Sequence, residues 1–387
     1  MAKSLPTPAR QDSSPVAEGA WCEISQEHLA QNLESTLSHL PRQTRLCAVV
    51  KADAYGHGIE NIASLLIAQG VGHIGIASNS EARALRGAGY QGAILRLRTA
   101  TPAEVAAVRP EDVEEMIGTE EGLQALIAHL GHGALPRLHI SLNAGGMSRD
   151  GLELSTAAGR QSCVEILNMA AGKIAGLCTH FPSNLPGDLS DSIQRFQQDL
   201  AWIFANSALR RADVLTHAGS TLTLMAGANP GVDMMRCGAI LFGIAGPEPD
   251  FRPALTLKSQ VISVGCYPKG STIGYDRTSV LRRDRVLANV ALGYANGFSR
   301  QLSGRAEVLI RGQACPVLGQ VSMNSAVVDV TRLPHVKIGD EVVAFGRQEG
   351  CEVTSAMIER LTGTIMADLF TDWGRRNPRM VKDRCAP

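Results

Sequence analysis

The sequence predicts a (β/α)8 barrel followed by a mostly antiparallel β domain. Three observations lead to this fold class. Apolar runs alternate with helical stretches over residues 44–245, short β-rich segments replace this pattern near Pro253, and 387 residues suit two domains. Continuous apolar strands that alternate with helices indicate a parallel sheet covered on both faces. An open doubly wound sheet is the alternative for the first part.

The predicted barrel strands are eight short apolar runs. Helical patterns separate them, for example at 60–69, 102–108 and 192–208. Eight such units in about 200 residues fit a (β/α)8 barrel. The runs cover residues 45–51, 73–78, 93–98, 113–118, 138–143, 173–180, 214–219 and 239–243.

Beyond Pro253 the apolar segments are separated by Gly, Pro and Asp, and a helical pattern returns only at 354–373. This indicates an antiparallel β domain closed by a helix. We therefore expect a barrel over 21–252 and a β-rich domain over 253–387. Residues 1–20 are polar and rich in Pro and Ser, which predicts a leader without fixed structure.

Charge and cysteine content restrict the class of function. Lys plus Arg equals Asp plus Glu at 37 each, without a basic cluster, which argues against a nucleic-acid partner. No apolar stretch is long enough for a membrane span and no secretory signal is visible, so we expect a cytoplasmic protein, or a periplasmic one if a signal was removed. The nine cysteines form no CxxC pair, so we expect neither a metal site nor a disulfide framework. The expected partners are a small molecule and a second copy of the chain.

Titratable residues gather at the predicted strand ends, where barrel enzymes carry their catalytic groups. Lys51 follows Ala-Val-Val directly, and desolvation there lowers the pKa of an ammonium and exposes a nucleophilic amine. A lysine that snorkels to water would explain this position alone. Four further groups at the same rim favour a site: Arg149, His180, His217 and Arg236.

Seven motifs in order, spread over both predicted domains, resemble the alanine racemase family, and more closely its broad-specificity amino-acid racemases. The resemblance runs from Trp21 to Arg379. The motifs are KADAYGHG (51–58), NAGGMSR (143–149), THF (179–181), MMRCGAILFG (234–243), YPKGSTIGYDRT (267–278), GYANG (293–297) and VSMNSAVVDV (321–330).

The resemblance implies a pyridoxal 5'-phosphate enzyme. Lys51 would hold the cofactor as a Schiff base and act as the base on one face of the substrate. Arg236 would face the pyridine nitrogen, and because arginine keeps its proton it would leave that nitrogen unprotonated and limit transamination. The other implied cofactor contacts are Tyr55, Thr221 and the backbone at Gly238 and Ala239 for the phosphate, and His180 between Arg236 and Tyr275.

The resemblance also implies a second base. Tyr275 would act on the opposite face, reaching in from the other subunit of a homodimer with shared active sites. Lysine and tyrosine have pKa values near 10, and a positively charged surround lowers both. The implied substrate-binding positions are Arg149 for the carboxylate, Tyr294 at the shared entrance, Met323 with the neighbouring Asn324 towards the carboxylate, and Ala367. His217 is expected only to pack or to donate to a carbonyl, and His139 to be a satisfied core histidine.

Three departures from related racemases bear on the substrate. Ser141 replaces a carbamylated lysine, so Arg149 needs another partner, for which a bound anion and Asn143 are candidates. Asp150 stands where broad-specificity relatives carry asparagine, which would favour cationic substrates or brace Arg149. Ala367 stands where a tyrosine narrows the entrance. We therefore expect turnover of amino acids larger than alanine, with Lys, Arg, Gln and Met as candidates.

Four alternatives stay open. An alanine-specific racemase would have the same motifs. A basic amino-acid decarboxylase shares the barrel-plus-β plan but pairs the pyridine nitrogen with glutamate, whereas this chain has Arg236. A non-catalytic pyridoxal phosphate carrier would lack the second domain. A homologue with a structural role only would not need to keep both Lys51 and Tyr275.

Overall fold

The computed structural model describes residues 17–246 and 249–382, which divide into two compact units. The barrel unit comprises residues 22–256 and 354–382, and the β unit comprises 17–21 and 257–353. Of the leader predicted at 1–20, residues 1–16 lie outside the described residues. Ala20, its last residue, is the first residue of a strand.

Strand β1 (Ala20–Ser25), of which residues from Cys22 onwards belong to the barrel unit, leads into helix α1 (Gln26–His39). Eight parallel strands then form a closed ring, which confirms the predicted fold class. Strand β9 closes the ring by pairing with β2, with Cys47 opposite Arg236. The ring strands are β2 (Arg45–Val49), β3 (His73–Ile76), β4 (Ala93–Thr99), β5 (Val113–Ile117), β6 (Leu138–Ser141), β7 (Ile174–Cys178), β8 (Leu215–Ala218) and β9 (Met234–Cys237).

Helical segments follow the ring strands, and their starts are specified locally. The Ser78 and Thr101 hydroxyls cap two of them in capping boxes with Glu81 and Glu104, which satisfies amides that the helices leave unpaired. The segments are α2 (Lys51–Tyr55), α3 (Ile59–Ala68), α4 (Asn79–Gly87), α5 (Pro102–Ala106), α6 (Glu120–Leu130), α7 (Ala157–Met169), α8 (Pro186–Ala205) and α9 (Thr221–Met225).

The strand predicted at 239–243 is wrong. Residues Ala239–Phe242 form a 3-10 helix, and the eighth ring strand is β9, which starts five residues before the predicted run. A short apolar run does not distinguish a buried strand from a buried helical turn. Strand pairing ends at Cys237, and after Gly238 the chain turns so that Ile240 to Phe242 are buried as a helical turn instead.

Cysteines contribute to the barrel interior as small apolar residues. Cys47 packs with Leu95 and Met234 in one buried cluster. Burial raises the pKa of the Cys47, Cys178 and Cys237 thiols to about 12, so these thiols stay protonated. Among the described residues, no group of three or more His, Cys, Asp or Glu side chains is arranged to hold a metal ion.

The β unit is antiparallel, as predicted. Strand β10 pairs with β17 along its first half and with β13 along its second, so six strands form a closed cycle of pairings, β17-β14-β15-β16-β13-β10. The strands are β10 (Leu255–Tyr267), β11 (Thr272–Ile273), β12 (Ser279–Val280), β13 (Arg285–Val290), β14 (Glu307–Ile310), β15 (Gln313–Leu318), β16 (Ala326–Asp329), β17 (Glu341–Gln348) and β18 (Cys351–Val353).

The last described segment groups with the barrel unit, whereas the sequence analysis assigned all of 253–387 to one β-rich domain. It consists of α10 (Ser355–Thr362), α11 (Met366–Arg376) and β19 (Arg379–Lys382). Strand β19 lies parallel to β1, with Arg379 opposite Cys22, and α11 packs against α2. These pairings between distant parts of the chain leave no local sequence signal. Within the described part of the chain, no helix has both the length and the apolar character that a membrane span requires.

Candidate active site

A cavity of about 480 Å³ opens at the carboxyl ends of the ring strands. Barrel enzymes place their chemistry at this end. Residues from five different strand ends line it, which brings together eight of the predicted site residues. These are Lys51 and Tyr55 after β2, Arg149 after β6, His180 after β7, Thr221 after β8, and Arg236, Gly238 and Ala239 at the end of β9.

Lys51 begins a left-handed turn. Ala52, Asp53, Ala54 and Tyr55 have φ values of 56°, 53°, 56° and 53°, the left-handed helical region that costs an L-residue roughly 1–2 kcal/mol. Side chains hold the turn in place. The Asp53 amide donates to Glu81 Oε1 at 3.3 Å, and Asp53 Oδ1 accepts from the Ile59 amide at 2.9 Å. The turn directs both Lys51 and Tyr55 into the cavity.

Helix α11 lies directly on this turn. At Gly56 (φ 83°) a Cβ would lie 2.0 Å from the Phe370 carbonyl oxygen, and at Gly374 a Cβ would lie 1.8 Å from the Gly56 carbonyl oxygen. Only glycine permits such an approach of two backbones. Arg379, just beyond α11, pairs with the Asp53 carboxylate, so the end of the described chain secures the turn that carries Lys51.

The pKa of Lys51 is lowered from its ordinary value of 10.5. Partial burial is the main cause, and the nearby cations Arg149 and Arg236 add to it, while Glu81 acts in the opposite direction. A larger fraction of the amine is therefore free near neutral pH, as a nucleophile or base requires.

Arg236 is almost fully buried and its guanidinium makes four hydrogen bonds. Nη1 donates to the His217 carbonyl oxygen at 3.0 Å and to His217 Nδ1 at 2.9 Å, and Nη2 donates to the Thr179 carbonyl oxygen at 2.6 Å and to His180 Nδ1 at 3.3 Å. Burial, followed by the Arg236 charge, lowers the pKa of His180 to about 4 and that of His217 well below 6.5. Both histidines are therefore neutral acceptors at neutral pH.

A chain of buried hydrogen bonds continues behind Arg236. His217 Nε2 lies 2.9 Å from His139 Nδ1, and His139 Nε2 lies 2.7 Å from Glu114 Oε2. Arg137 Nε lies 2.8 Å from the other Glu114 oxygen. Sequence reasoning expected His139 to be a core histidine and His217 to pack or to bond a carbonyl, and it missed Glu114. The available signal was a titratable residue within each of three predicted strand runs, at 113–118, 138–143 and 214–219.

The phosphate end of the expected cofactor has suitable donors. A Cβ at Gly238 would lie 2.6 Å from the Tyr55 hydroxyl, so only glycine leaves room beneath that phenol. Burial raises the pKa of Tyr55 to about 12, which keeps the hydroxyl protonated as a donor. Thr221 Oγ1 accepts from the Ile240 amide at 3.3 Å and so ties α9 to the loop after β9. With the Lys51 amine and the Arg236 cation, this donor set fits pyridoxal phosphate.

A second, wider cavity of about 930 Å³ also reaches Lys51. Ala367, Asp368, Thr371 and Arg375 of α11 line it. Ala367, which the family resemblance places where alanine-specific enzymes have an entrance tyrosine, therefore lines open space beside Lys51.

Of the two expected partners of Arg149, a bound anion and Asn143, the structure argues against Asn143. The Asn143 amide donates to Glu153 Oε2 at 2.9 Å, and its carbonyl oxygen accepts from the Ser148 amide at 2.7 Å. Among the described residues, Arg149 has no hydrogen bond or ion pair, and Asn143 does not brace it. Ser141 Oγ donates to Asp150 Oδ1 at 3.4 Å.

The remaining predicted site residues lie in the β unit and are exposed there. Tyr275 starts the 3-10 turn that joins β11 to β12 and is 66% exposed. The loops of Tyr294 and Met323 are bonded to each other, since the Ala295 amide donates to the Met323 carbonyl oxygen at 2.8 Å. Asn324 follows on the same exposed loop.

Fold and cavity together define a barrel with a lysine amine of lowered pKa at the carboxyl ends of its strands. Comparison with protein families makes this specific. Residues 24–246 match the alanine racemase N-terminal domain, and residues 254–381 match the alanine racemase C-terminal domain. The chain belongs to the alanine racemase family, whose enzymes depend on pyridoxal phosphate.

Individual relatives extend over almost the whole chain. A broad specificity amino-acid racemase of Aeromonas hydrophila is 41% identical over 372 residues, which cover 95% of this chain and 90% of the relative. A lysine racemase of Proteus mirabilis is 37% identical over 370 residues, covering 95% and 91%. The crystal structure of alanine racemase from E. faecalis superposes with a TM-score of 0.84 at 27% identity, covering 95% of this chain and 99% of that one.

Proposed function

We propose that this protein interconverts the L- and D-forms of free amino acids, including amino acids larger than alanine, with pyridoxal phosphate held by Lys51. The observation that carries the proposal is Arg236 at the end of β9, fixed between two neutral histidines. A decarboxylase of the same plan would have a carboxylate there. The broad-specificity and lysine racemases among the relatives support the wider substrate range.

Each step is assigned to a side chain. Pyridoxal phosphate, when bound, would withdraw electron density from the substrate α-carbon and acidify its proton. The Lys51 amine takes up or returns that proton on one face, which its lowered pKa favours near neutral pH. The Tyr275 phenol does the same on the other face. Arg149 binds the carboxylate, and Arg236 keeps its own proton and gives none to the ring nitrogen.

A direct experiment is to incubate the purified enzyme with L-lysine, L-arginine or L-alanine and to separate the products by chiral chromatography. We expect D-lysine and D-arginine together with D-alanine. Diamines would indicate the decarboxylase, D-alanine alone the alanine-specific racemase, and unchanged substrates a carrier. Lys51→Ala should abolish the conversion, whereas Lys173→Ala, at a partly exposed lysine just before the amino end of strand β7 and so away from the cavity, should not change it.

Shared sites in a homodimer can be tested by complementation. Lys51→Ala and Tyr275→Phe are each expected to be nearly inactive. If the two residues come from different subunits, a refolded or exchanged equimolar mixture should recover about a quarter of the wild-type rate, because half the dimers are mixed and each mixed dimer keeps one of its two sites intact. No recovery in a mixture shown to contain mixed dimers would place both bases on one chain.

The substrate range should depend on Ala367. A tyrosine at this position would fill part of the cavity beside Lys51, so Ala367→Tyr should lower kcat/KM for lysine and arginine by about tenfold or more while alanine is affected less. If kcat/KM fell equally for lysine, arginine and alanine, Ala367 would not determine the substrate range.

We also propose that a bound anion braces Arg149. Support comes from Ser141 in place of a lysine and from the absence of a side-chain partner for Arg149 among the described residues. Activity should then rise with added chloride in a buffer of otherwise bulky anions, and Arg149→Lys should change that dependence.

A further inference from the structure

We propose that Glu114 and His139 are positioning residues: they fix the tautomer of His217 so that it accepts from Arg236 and holds the guanidinium at the cavity. The proposal deepens the racemase function and rests on it for its catalytic consequence, but not for its structural content. Neither residue lines the cavity, and both are almost completely buried.

The inner end of the hydrogen-bond chain has a fixed direction. Arg236 has only donors, because a guanidinium carries no acceptor and does not lose its proton in proteins. His217 Nδ1, at 2.9 Å from Nη1, must therefore be unprotonated. Since His217 is neutral, its proton lies on Nε2, and it donates to His139 Nδ1.

The outer end requires the same direction. The Glu114 carboxylate is ionised: burial opposes this, but the hydrogen bond from His139 and the charge of Arg137 lower its pKa. It can only accept, so His139 Nε2 carries a proton and donates to Glu114 Oε2. His139 Nδ1 is then free to accept from His217. Each of the three bonds has one donor and one acceptor only in this arrangement.

The energetic cost of the chain points to a role beyond packing. Glu114 and His139 occupy a barrel interior that apolar side chains fill elsewhere, and burying a carboxylate costs several kcal/mol unless partners compensate for it. Apolar residues of similar volume would be the cheaper way to fill this space. Apolar residues, however, could not hold His217 in the tautomer whose unprotonated Nδ1 accepts from Arg236.

Removing the carboxylate should reverse the chain. Without an acceptor, the His139 Nε2 proton is left buried and unpaired, which favours the other tautomer of His139. His139 Nδ1 would then donate towards His217, and His217 would carry its proton on Nδ1, facing the Arg236 guanidinium. Two donors would meet there, and the guanidinium would lose one of its four partners.

The test uses the holoenzyme with ¹⁵N-labelled histidine, whose Nδ1 and Nε2 chemical shifts report the tautomer directly. Loss of the corresponding signals in His217→Gln and His139→Gln identifies the two residues. In the unmodified enzyme we expect both histidines to carry the proton on Nε2. A proton on Nδ1 of either residue would overturn the proposal without any variant.

Three variants then separate positioning from packing. Glu114→Met should move the His217 proton to Nδ1 and lower kcat on the order of 10- to 100-fold, as loss of an outer-shell partner does in metal sites. Glu114→Gln keeps an oxygen that can accept from His139 and should restore both the tautomer and most of kcat. Arg137→Met, which removes an exposed partner but leaves the carboxylate, should change neither.

The outcomes distinguish the two proposals. If Glu114→Met folds but leaves the His217 tautomer and kcat unchanged, or if Glu114→Gln is as impaired as Glu114→Met, the positioning role is wrong. If Glu114→Met does not fold, His139→Leu replaces it with the same expectations for His217. If the tautomers are as expected but no amino acid is racemised, the proposed function fails and the hydrogen-bond chain stands.

Discussion

Two regions of the barrel unit bring Lys51 and Arg236 to the same cavity, and each region holds its side chain by a different physical means. On one side, Lys51 is carried by a strained left-handed turn that contacts with α11 and Arg379 hold in place. On the other, Arg236 extends from an unstrained strand, and a chain of side-chain hydrogen bonds orients it. The region of Lys51 therefore carries backbone strain in its left-handed turn, whereas the region of Arg236 carries the desolvation cost of buried polar and charged side chains.

The largest expected effect comes from the turn. Gly374→Ala would place a Cβ 1.8 Å from the Gly56 carbonyl oxygen, so α11 must move away from the turn, at a cost of about 3 kcal/mol of unfolding free energy. Urea unfolding measures this, together with the fraction of enzyme that retains cofactor.

Gly187→Ala is the matched control, since no atom lies within 4 Å of its Cβ and it sits in a helix, where alanine is favoured over glycine. If Gly374→Ala were as stable as this control and fully active, the contact between α11 and the turn would not be what holds Lys51.

Low pH should weaken both regions through their buried neutral histidines. His57, packed between Phe242 and Phe370 beside the turn, has its pKa lowered to about 4 by burial, and His217 behind Arg236 is also lowered. In the unfolded chain both titrate near 6.5, so the unfolded state binds protons first. The stability is complete above pH 6.5 and is lost as pH falls towards 4.

For His57 alone the loss should reach about 2 kcal/mol at pH 5. The free energy of unfolding measured between pH 7 and 4.5 should therefore fall steeply, and less steeply in His57→Gln. A flat profile in the unmodified protein, or identical slopes, would contradict this assignment.

A smaller effect is expected at the outer edge of the turn. Arg379→Met removes the cation that pairs with the Asp53 carboxylate and should cost about 1–2 kcal/mol, because the charged, half-buried side chain loses this partner, while Oδ1 keeps the hydrogen bond from the Ile59 amide. Lys382→Met, on the same strand, removes only an exposed pair with Glu23 at 3.6 Å and should cost less than about 0.5 kcal/mol. Equal midpoints of thermal unfolding would mean that Arg379 contributes no more than a surface ion pair.

The smallest effect links the two sides electrostatically. Arg149→Met removes a cation that lowers the pKa of Lys51, so that pKa should rise and the fraction of free amine near neutral pH should fall. The limb of the kcat profile that reports the Lys51 amine should move to higher pH, by less than about one unit because Arg236 and burial remain. A shift to lower pH would show that Arg149 does not act on the amine by charge.

The two regions also differ in how far the sequence predicted them. Seven of the eight ring strands follow from apolar periodicity, because each strand is a local run, but the position of Arg236 on the eighth strand does not. The eighth strand was misplaced because AILF is equally apolar as a buried helical turn. His139 was correctly expected to be a satisfied core histidine, but its partners lie on other strands, 25 and 78 residues away.

The turn was not predictable in the same way. The sequence at 52–55 (Ala-Asp-Ala-Tyr) does not predict a left-handed conformation, because glycine is the residue that ordinarily adopts it. The contacts that enforce it come from the far end of the chain: Arg379 lies 326 residues from Asp53. Motif resemblance predicted that Lys51 and Tyr55 are site residues, and both line the cavity, but it gave no information on the backbone between them.

The pairing of β19 with β1, and of α11 with the Lys51 turn, sets an order of events during synthesis. A ribosome completes all eight ring strands more than a hundred residues before it releases the helix and strand that secure the turn. Nascent chains can therefore pair all eight ring strands early, whereas the turn that carries Lys51 gains the contacts that hold it only when the final described segment emerges. Truncated chains that keep the ring strands but lack this segment would lack those contacts.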